Sequence, residues 1–410
     1  MKKTRFSTDM SKRILLGCFE PPGYGGAATA AYKLFEMMQD DGFDVCYLNL
    51  IEEQDADYFR YVFGENLGNP KGLHNVYSCS LNGPNYIPHQ ELVDLINYMS
   101  PDVLVGIGWI AALLMKRAAP EKRSIFLTSG CELVKDNISI GKVKDFISLN
   151  ESIRRSKRKP ALALHYADYD GWKLFEPAFS QRQTHPVYNG ALPASYFEKE
   201  AVKISDLIVT HSDTIRFLYQ YLFPSYIEKV YPDVIWFAEW IHKDALNYSG
   251  LQKPFYERDI DILFIASAWS RPEKNYKLVK EIISRCNGLN IHIVGEVEEK
   301  LTNAEHHGLV TKREELFGLF GRAKTVVCPS LFDAAPGILF EASTIGCNII
   351  ASKNCGNWQI CNETLLVDPF KLDNFLEKIQ RSLRKKYEDN MEYFIKTDSY
   401  KNLIDTILVF

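Results

Sequence analysis

The chain has 410 residues, 46% of them hydrophobic, and a formal net charge of -4 at pH 7. This length favours two domains, each able to bury its own core, and the charge argues against a surface built throughout for nucleic acid or anionic membrane. The nine cysteines are scattered and form no CxxC pair, which is typical of buried thiols rather than of disulfides or a zinc site.

Neither a secretory signal nor a membrane span is predicted. The N-terminal apolar run is only about six residues long, too short for a signal sequence. The longest apolar run, Val103 to Met115, is shorter than the ~18 residues that a span requires, and we interpret it as a strand followed by a helix start. The expected location is cytoplasmic, with peripheral membrane contact left open.

The first part of the chain predicts an alternation of strands and helices. Residues 13–17 form a strand candidate, followed by the loop EPPGYGGA and by a helix that ends near Gly42. Apolar side chains at helical spacing mark that helix: Ala31, Leu34, Met37 and Met38. Further strands are predicted at DVCYLNL and at 102–107, 124–129 and 206–212, a pattern that favours a parallel, doubly wound sheet.

A second series of strands begins after a polar, aromatic stretch. Its members are predicted at 259–267, 290–296, 324–330 and 347–352. We therefore predict an α/β protein with two Rossmann-like, doubly wound domains that face each other across a cleft. The first domain is residues 1–240, the linker residues 241–258 and the second domain residues 259–410. The last helix can pack back on the first domain.

The stretch PSLFDAAPGILFE, residues 329–341, places two acids eight positions apart. It follows a strand and leads into a helix predicted to begin near Pro336. At such a helix N-terminus the N–H groups of Gly337, Ile338 and Leu339 favour an anionic ligand. The carboxylates of Asp333 and Glu341 suit sugar and ribose hydroxyls. The alternative is an N-cap aspartate and a surface glutamate.

This stretch resembles the E-x7-E signature of retaining GT-B glycosyltransferases, in the large family 4 group that includes sucrose-phosphate synthase and bacterial mannosyltransferases. Pro329-Ser330 before the acids and Gly346 after them fit that pattern. The resemblance implies that Glu341 binds the nucleotide ribose and Asp333 the hydroxyls of the donor sugar. Asp333 stands where the family usually has Glu, and Ala-Ala-Pro replaces a Gly-rich run.

The loop FIASAWSRPEKN resembles the family segment that holds the donor diphosphate. Lys274 matches the family lysine, Ser267 stands at the position of the family arginine, and Arg271 is its substitute by proximity. Fixed cations would stabilise the charge that a leaving nucleoside diphosphate gains. The alternative is a solvated surface turn.

Two further positions come from the same resemblance. The loop PPGYGGAATAA is similar to the family's Gly-Gly loop beside the donor, which assigns Gly25 and Gly26, and a tight turn is the alternative. Ser129 and Gly130 stand where the family has a histidine near the sugar. His165 is a candidate replacement, with a structural role as the favoured alternative.

The acceptor side is assigned to the first domain. The basic run at 154–159 precedes an aromatic-rich segment and would suit an anionic lipid surface, a phosphorylated acceptor or, less favoured, single-stranded nucleic acid. A solvated helix face is the favoured alternative. The acceptor itself, a glycan, a lipid-linked sugar or a small molecule, is not specified.

The sequence predicts a metal-independent transferase. Its three D-x-D triplets are Asp55/Asp57, Asp168/Asp170 and Asp259/Asp261, of which Asp168/Asp170 stays open as a metal-binding alternative. No metal ligand is assigned, because protein cations can neutralise the diphosphate. No cofactor is expected, and the nucleotide sugar is a substrate. The alternatives are a nucleotide-sugar epimerase and a catalytically inactive protein that binds sugar nucleotides.

Overall fold

The computed structural model describes residues 12–19, 26–51, 76–80, 86–139, 194–235, 238–352, 354–392 and 399–410. These residues form two sheets of seven and six strands, and every strand pair in both sheets is parallel. Apolar clusters cover both faces of each sheet, which is the arrangement of doubly wound α/β domains.

The first sheet has the strand order β3-β2-β1-β4-β5-β6-β7. Its strands are β1 (Arg13–Cys18), β2 (Asp44–Ile51), β3 (Val76–Ser80), β4 (Val103–Ile107), β5 (Arg123–Leu127), β6 (Leu207–Thr210) and β7 (Val230–Ile235). Its helices are α1 (Gly26–Asp40), α2 (Gln90–Met99), α3 (Trp109–Ala118), α4 (Glu132–Ser139), α5 (Ala194–Ile204) and α6 (Asp213–Leu222), followed by a 3-10 helix at Pro224–Lys229.

The second sheet has the order β10-β9-β8-β11-β12-β13. Its strands are β8 (Ile260–Ala268), β9 (Ile291–Glu296), β10 (Glu305–Gly308), β11 (Ala323–Cys328), β12 (Asn348–Ser352) and β13 (Leu366–Val367). Its helices are α8 (Tyr276–Arg285), α9 (Arg313–Arg322), α10 (Gly337–Thr344) and α11 (Leu372–Ser382), with 3-10 turns at Pro272–Lys274, Trp358–Ile360 and Glu363–Leu365.

The segment between the sheets is structured. Helix α7 (Ala238–Leu246) leads into two 3-10 turns at Ser249–Leu251 and Phe255–Glu257, and α7 packs on α10 of the second domain. Helix α12 (Ser399–Val409) returns to the first domain, where its Leu403 and Ile407 are buried in the cluster that contains Ile14 of β1. The two ends of the described chain therefore lie on one core.

Several expectations are confirmed in this fold. The run Val103 to Met115 is β4 followed by α3, and none of the described helices is both long and apolar enough to cross a bilayer. Seven of the eight cysteines whose side chains the structure describes are buried. Gly42 follows the end of α1 with φ +85°, a conformation that glycine adopts without strain.

Candidate active site

A cavity of about 750 Å³ lies between the two domains. The carboxyl ends of β1, β4, β8 and β11 contribute to its walls, which is where ligands of open parallel sheets bind. Its charged lining residues are Lys33, Glu132, Lys135, Asp244, Arg271, Lys274, Arg313, Asp333 and Glu341. Cations and carboxylates are thus nearly balanced in number, and the pairs that they form determine the chemistry of the site.

The loop after β11 enters the cavity as the sequence predicts. Helix α10 begins at Gly337, with Pro336 at its N-cap, and Gly337 and Ile338 line the cavity. Leu339 does not: its side chain is fully buried in the core and its N–H donates to the Pro336 carbonyl. The expected contact of the Leu339 N–H with a ligand is therefore corrected, because the first helical turn already uses that group.

Asp333 and Lys274 form an ion pair inside the cavity. Lys274 Nζ lies 2.5 Å from Asp333 Oδ2, and each side chain is only 16% exposed. Burial alone would raise the pKa of Asp333, but the charge and hydrogen bond of Lys274 outweigh it and hold that pKa below its usual value. The two residues assigned to the donor sugar and the diphosphate thus lie together, and Asp333 is ionised.

Arg271 lies in the same turn and pairs with Glu273. Its Nη2 is 2.5 Å from Glu273 Oε1, and its own side chain remains 44% exposed. Burial would raise the pKa of Glu273, but Arg271 and then Lys135 lower it. The Glu273 carbonyl also accepts a hydrogen bond from the N–H of Leu331, so the turn that carries both cations is tied to the loop that carries Asp333.

Glu341 is held by Arg313, a residue that the sequence analysis missed. Arg313 Nη1 donates to Glu341 Oε1 at 2.7 Å and Nη2 to Asp244 Oδ2 at 2.5 Å, while the guanidinium lies 4.7 Å from the ring centroid of Phe317. Burial would lower the pKa of Arg313, but the two carboxylates raise it. No sequence signal marked Arg313, because the edge strand before its helix reads EHHG and lacks the apolar pattern of a predicted strand.

The second missed residue is His211, which follows β6 and lines the cavity. Its Nδ1 is 2.7 Å from Thr128 Oγ1. Burial lowers its pKa to about 3, although Asp333 opposes that shift, so the imidazole is neutral. The family histidine was sought after β5, where Ser129 lines the cavity instead. His211 follows β6, the next strand of the same sheet, whereas the predicted strand extended through residue 212 and so included His211.

A buried carboxyl group supports the wall formed by α4. Glu198 Oε2 accepts hydrogen bonds from the N–H groups of Glu132 and Leu133 at the start of α4, and Tyr219 lies 2.7 Å from its Oε1. Burial, and then the charge of Glu132, raise the pKa of Glu198 to about 8. Helix α4 contacts the Pro272–Lys274 turn, so Glu198 indirectly positions the cations of the site.

The remaining assigned residues divide into two groups. Gly26 begins α1 and lines the cavity, as does Ser267. Other sequence assignments lie outside the described residues: Gly25, His165, the basic run at 154–159, and the triplets Asp55/Asp57 and Asp168/Asp170. Their roles stay predictions.

The third D-x-D triplet lies away from the cavity. Asp259 pairs with Arg322 at 2.5 Å and Asp261 with Lys324 at 2.8 Å, and neither aspartate lines the cavity. Within the described ranges, one group of three side chains has metal-ligating geometry: His292, Glu305 and His307. It also lies outside the cavity lining.

Part of the chain matches a known protein family. Residues 259–385 match the family described as Glycosyl transferases group 1. No curated protein has a matching sequence.

Solved structures similar to the whole chain include three whose names bear on the site. Sucrose-phosphate synthase from Thermosynechococcus elongatus has a TM-score of 0.57 and 13% identity, over 97% of this chain and 95% of that chain. An alpha-glucosyltransferase in complex with UDP and a 13-mer DNA has a TM-score of 0.54 and 11% identity, over 97% of this chain and 100% of that chain. The UDP-GlcNAc 2-epimerase of Methanocaldococcus jannaschii has a TM-score of 0.53 and 12% identity, over 98% of this chain and 100% of that chain. These likenesses confirm the expected fold: the chain has the two-domain GT-B architecture, with the cavity between its Rossmann-like domains.

Proposed function

We propose that this protein is a retaining, metal-independent glycosyltransferase that moves a sugar from a nucleotide donor to an acceptor hydroxyl in the interdomain cavity. The observation that carries the proposal is the convergence of Lys274, Arg271, Asp333 and Glu341 on that one cavity. The match of residues 259–385 to a glycosyltransferase family supports it. The retaining mode rests on the resemblance of residues 333–341 to the E-x7-E signature.

The donor diphosphate is assigned to the cations of the Pro272–Lys274 turn and to the start of α10. Transfer breaks the bond between the anomeric carbon and the diphosphate oxygen, so negative charge grows on the leaving group. Lys274 and Arg271 provide fixed positive charge there. The N-terminus of α10 adds N–H groups and the positive end of the helix dipole.

Each of these cations has a carboxylate partner. A bound diphosphate would compete with Asp333 for Lys274 and with Glu273 for Arg271, since these side chains pair at 2.5 Å. Displacing Asp333 from Lys274 would leave its oxygens to accept hydrogen bonds from the hydroxyls of the donor sugar. Donor binding would thus place both members of the pair in their working positions.

The ribose is assigned to Glu341. Arg313 occupies its Oε1 and so fixes the orientation of the carboxylate, with Oε2 left as an acceptor for ribose hydroxyls. Arg313 neutralises one of the two negative charges of Glu341 and Asp244, so this group of three side chains keeps a net negative charge before the nucleotide binds. Two of the compared structures carry UDP in their names, so UDP-sugars are the first donors to test.

The neutral imidazole of His211 is assigned to the sugar side of the cavity. A buried, uncharged histidine can exchange hydrogen bonds with hydroxyl groups without adding charge to the site. Its Nδ1 contact with Thr128 would hold the ring in place. The acceptor enters against the walls of the first domain. Its hydroxyl oxygen forms the new glycosidic bond to the anomeric carbon, and its proton passes to the departing diphosphate oxygen.

Incubation with a panel of nucleotide sugars tests the proposal. Release of nucleoside diphosphate, with the sugar transferred to water or to an added acceptor, is the expected result, and loss of release in Lys274→Ala would tie it to this cavity. Interconversion of the sugar without release would indicate an epimerase instead. Tight binding without turnover for every donor would indicate a protein that only binds sugar nucleotides.

A further inference from the structure

Two histidines and a glutamate lie together at the edge of the second sheet, outside the cavity lining. Strands β9 and β10 pair in parallel, and the register places Glu305 beside His292. The register shifts between His306 and Gly308, so His307 lies at an irregularity where the regular alternation of side chains between faces does not apply. The side-chain contacts, rather than the strand period, bring the three residues together: the rings of His292 and His307 stack with their centroids 5.0 Å apart.

The potential ligand atoms of these three side chains are close enough to share one ion. One nitrogen of each histidine and one Glu305 oxygen all lie within 4.8 Å of one another. His292 Nδ1 is 2.8 Å from His307 Nε2, and His307 Nε2 is 3.8 Å from Glu305 Oε1. Tetrahedral zinc, with bonds of about 2.0–2.2 Å, separates its ligand atoms by about 3.3–3.5 Å. The first of these separations therefore needs to lengthen, and the second to shorten, by about half an ångström.

The hydrogen bonds of Asn290 orient His292 for ligation. The Asn290 side-chain Nδ2 donates to the Asp259 carbonyl, which leaves Oδ1 as the group that faces His292 Nε2 at 3.1 Å. Nε2 therefore carries the hydrogen, and the lone pair is on Nδ1, the atom directed at His307. A partner that fixes the tautomer of a histidine in this way is a usual feature of metal-ligating histidines.

The charges around these three side chains allow a doubly charged metal ion to bind. Arg322 is the nearby cation, and its charge is balanced by Asp259 at 2.5 Å. Glu305 is 63% exposed and His307 is 16% exposed, so both can adjust, whereas His292 is buried and held in place.

We propose that His292, Glu305 and His307 form a zinc-binding site that fastens edge strand β10 to β9. Two imidazoles and one carboxylate favour a borderline metal such as Zn²⁺ over Mg²⁺, which prefers oxygen ligands. Strand β10 leads directly into Leu309, Val310 and Thr311, which line the cavity. Bound zinc would therefore steady that wall of the cavity without taking part in transfer.

Titration of the chelator-treated full chain with ZnCl2 tests this site independently of any sugar donor. We expect one equivalent to bind, a rise in the melting temperature, and little response to MgCl2. His307→Ala and Glu305→Gln should each weaken zinc binding at least tenfold. Neither residue is fully buried, so both variants should keep the far-UV circular dichroism of the parent.

The matched control is His306→Gln, on the neighbouring position of β10. His306 Nε2 accepts the Leu301 N–H at 2.8 Å and is not a member of the group, so this variant should bind zinc as the parent does. The proposal is overturned if the parent binds no zinc, or if His307→Ala and His306→Gln bind it as tightly as the parent.

Discussion

Replacing Asp333 by Asn is expected to separate binding of the nucleotide from transfer of the sugar. Asp333 and Lys274 neutralise each other at 2.5 Å in a site where both side chains are 16% exposed. Asn keeps the shape and can still accept a hydrogen bond from Lys274, but it removes the negative charge that competes with a diphosphate. Nucleoside diphosphate should therefore bind more tightly to the variant, while turnover falls because the sugar loses its charged hydrogen-bond acceptor.

The size of the gain follows from the pair that is lost. A hydrogen bond between charged groups contributes about 1.5–3 kcal/mol, and one with a neutral acceptor about 0.5–1.5 kcal/mol. In the variant, the bond that a diphosphate must displace from Lys274 is therefore weaker by about 1 to 1.5 kcal/mol, which corresponds to a gain of about five- to twelvefold in the affinity for nucleoside diphosphate. The gain should shrink as salt is added, because the diphosphate is screened.

Isothermal titration with UDP, GDP and ADP at fixed ionic strength measures this effect. Glu132→Gln is the matched control, since Glu132 also lines the cavity and pairs with a lysine, Lys135, at 2.6 Å, but it is not assigned to the donor. It should change the affinity by less than Asp333→Asn does. Weaker nucleotide binding in Asp333→Asn, in step with its loss of turnover, would refute the assignment of Lys274 to the diphosphate.

Three further variants test other parts of the site. In titrations with nucleoside diphosphate, Glu341→Gln should weaken binding by about 1 to 3 kcal/mol, and the control Asp244→Asn should weaken it less. Equal losses would mean that the effect comes from Arg313, which both carboxylates contact, and not from a ribose contact. The pKa of Glu198 is about 8 in the folded protein, against 4.5 as the ordinary value. Between pH 4.5 and 8 the native state therefore holds one more proton than the unfolded state. The free energy of unfolding should fall in this range by up to about 1.4 kcal/mol per pH unit as pH rises. Glu198→Gln should flatten that slope in denaturant titrations at pH 5 to 8, and an unchanged slope would contradict the shift. Gly356→Ala, whose added Cβ would lie 1.7 Å from a carbonyl oxygen of the Asp333 loop, should cost about 1 to 3 kcal/mol of stability and lower turnover, unlike Gly250→Ala, where the Cβ meets nothing within 4 Å.

The inner strands were predictable from the sequence, and the edge strands were not. Strand β4, for example, is buried at all five positions, which produces the continuous apolar run that marks a central parallel strand. The four missed strands, β3, β7, β10 and β13, are the outermost strands of the two sheets. An edge strand has a neighbour on one side only and therefore tolerates polar residues and proline. Accordingly, β10 reads EHHG and β7 contains a proline, so neither shows the continuous apolar run of an inner strand.

The candidate site was predictable where local sequence carries the chemistry. Asp333, Glu341 and the Lys274 turn are marked by their position between a strand and a helix, a feature of one segment. Arg313 and His211 reach the cavity only through the arrangement of separate strands, and sequence spacing does not encode which side chains meet. The pairing of Lys274 with Asp333, 59 residues apart, is likewise a result of the tertiary fold.

The central claim is that protein cations, not a metal, stabilise the departing diphosphate. The most direct test is the rate of nucleoside diphosphate release from the accepted donor in the presence of EDTA, for the parent chain and Lys274→Ala in parallel. The account predicts that the parent remains active in EDTA and that Lys274→Ala loses about 2 to 4 kcal/mol of transition-state stabilisation, the usual cost of removing one preorganised electrostatic group. Activity that EDTA abolishes and Mn²⁺ or Mg²⁺ restores, with Lys274→Ala close to the parent, would contradict it.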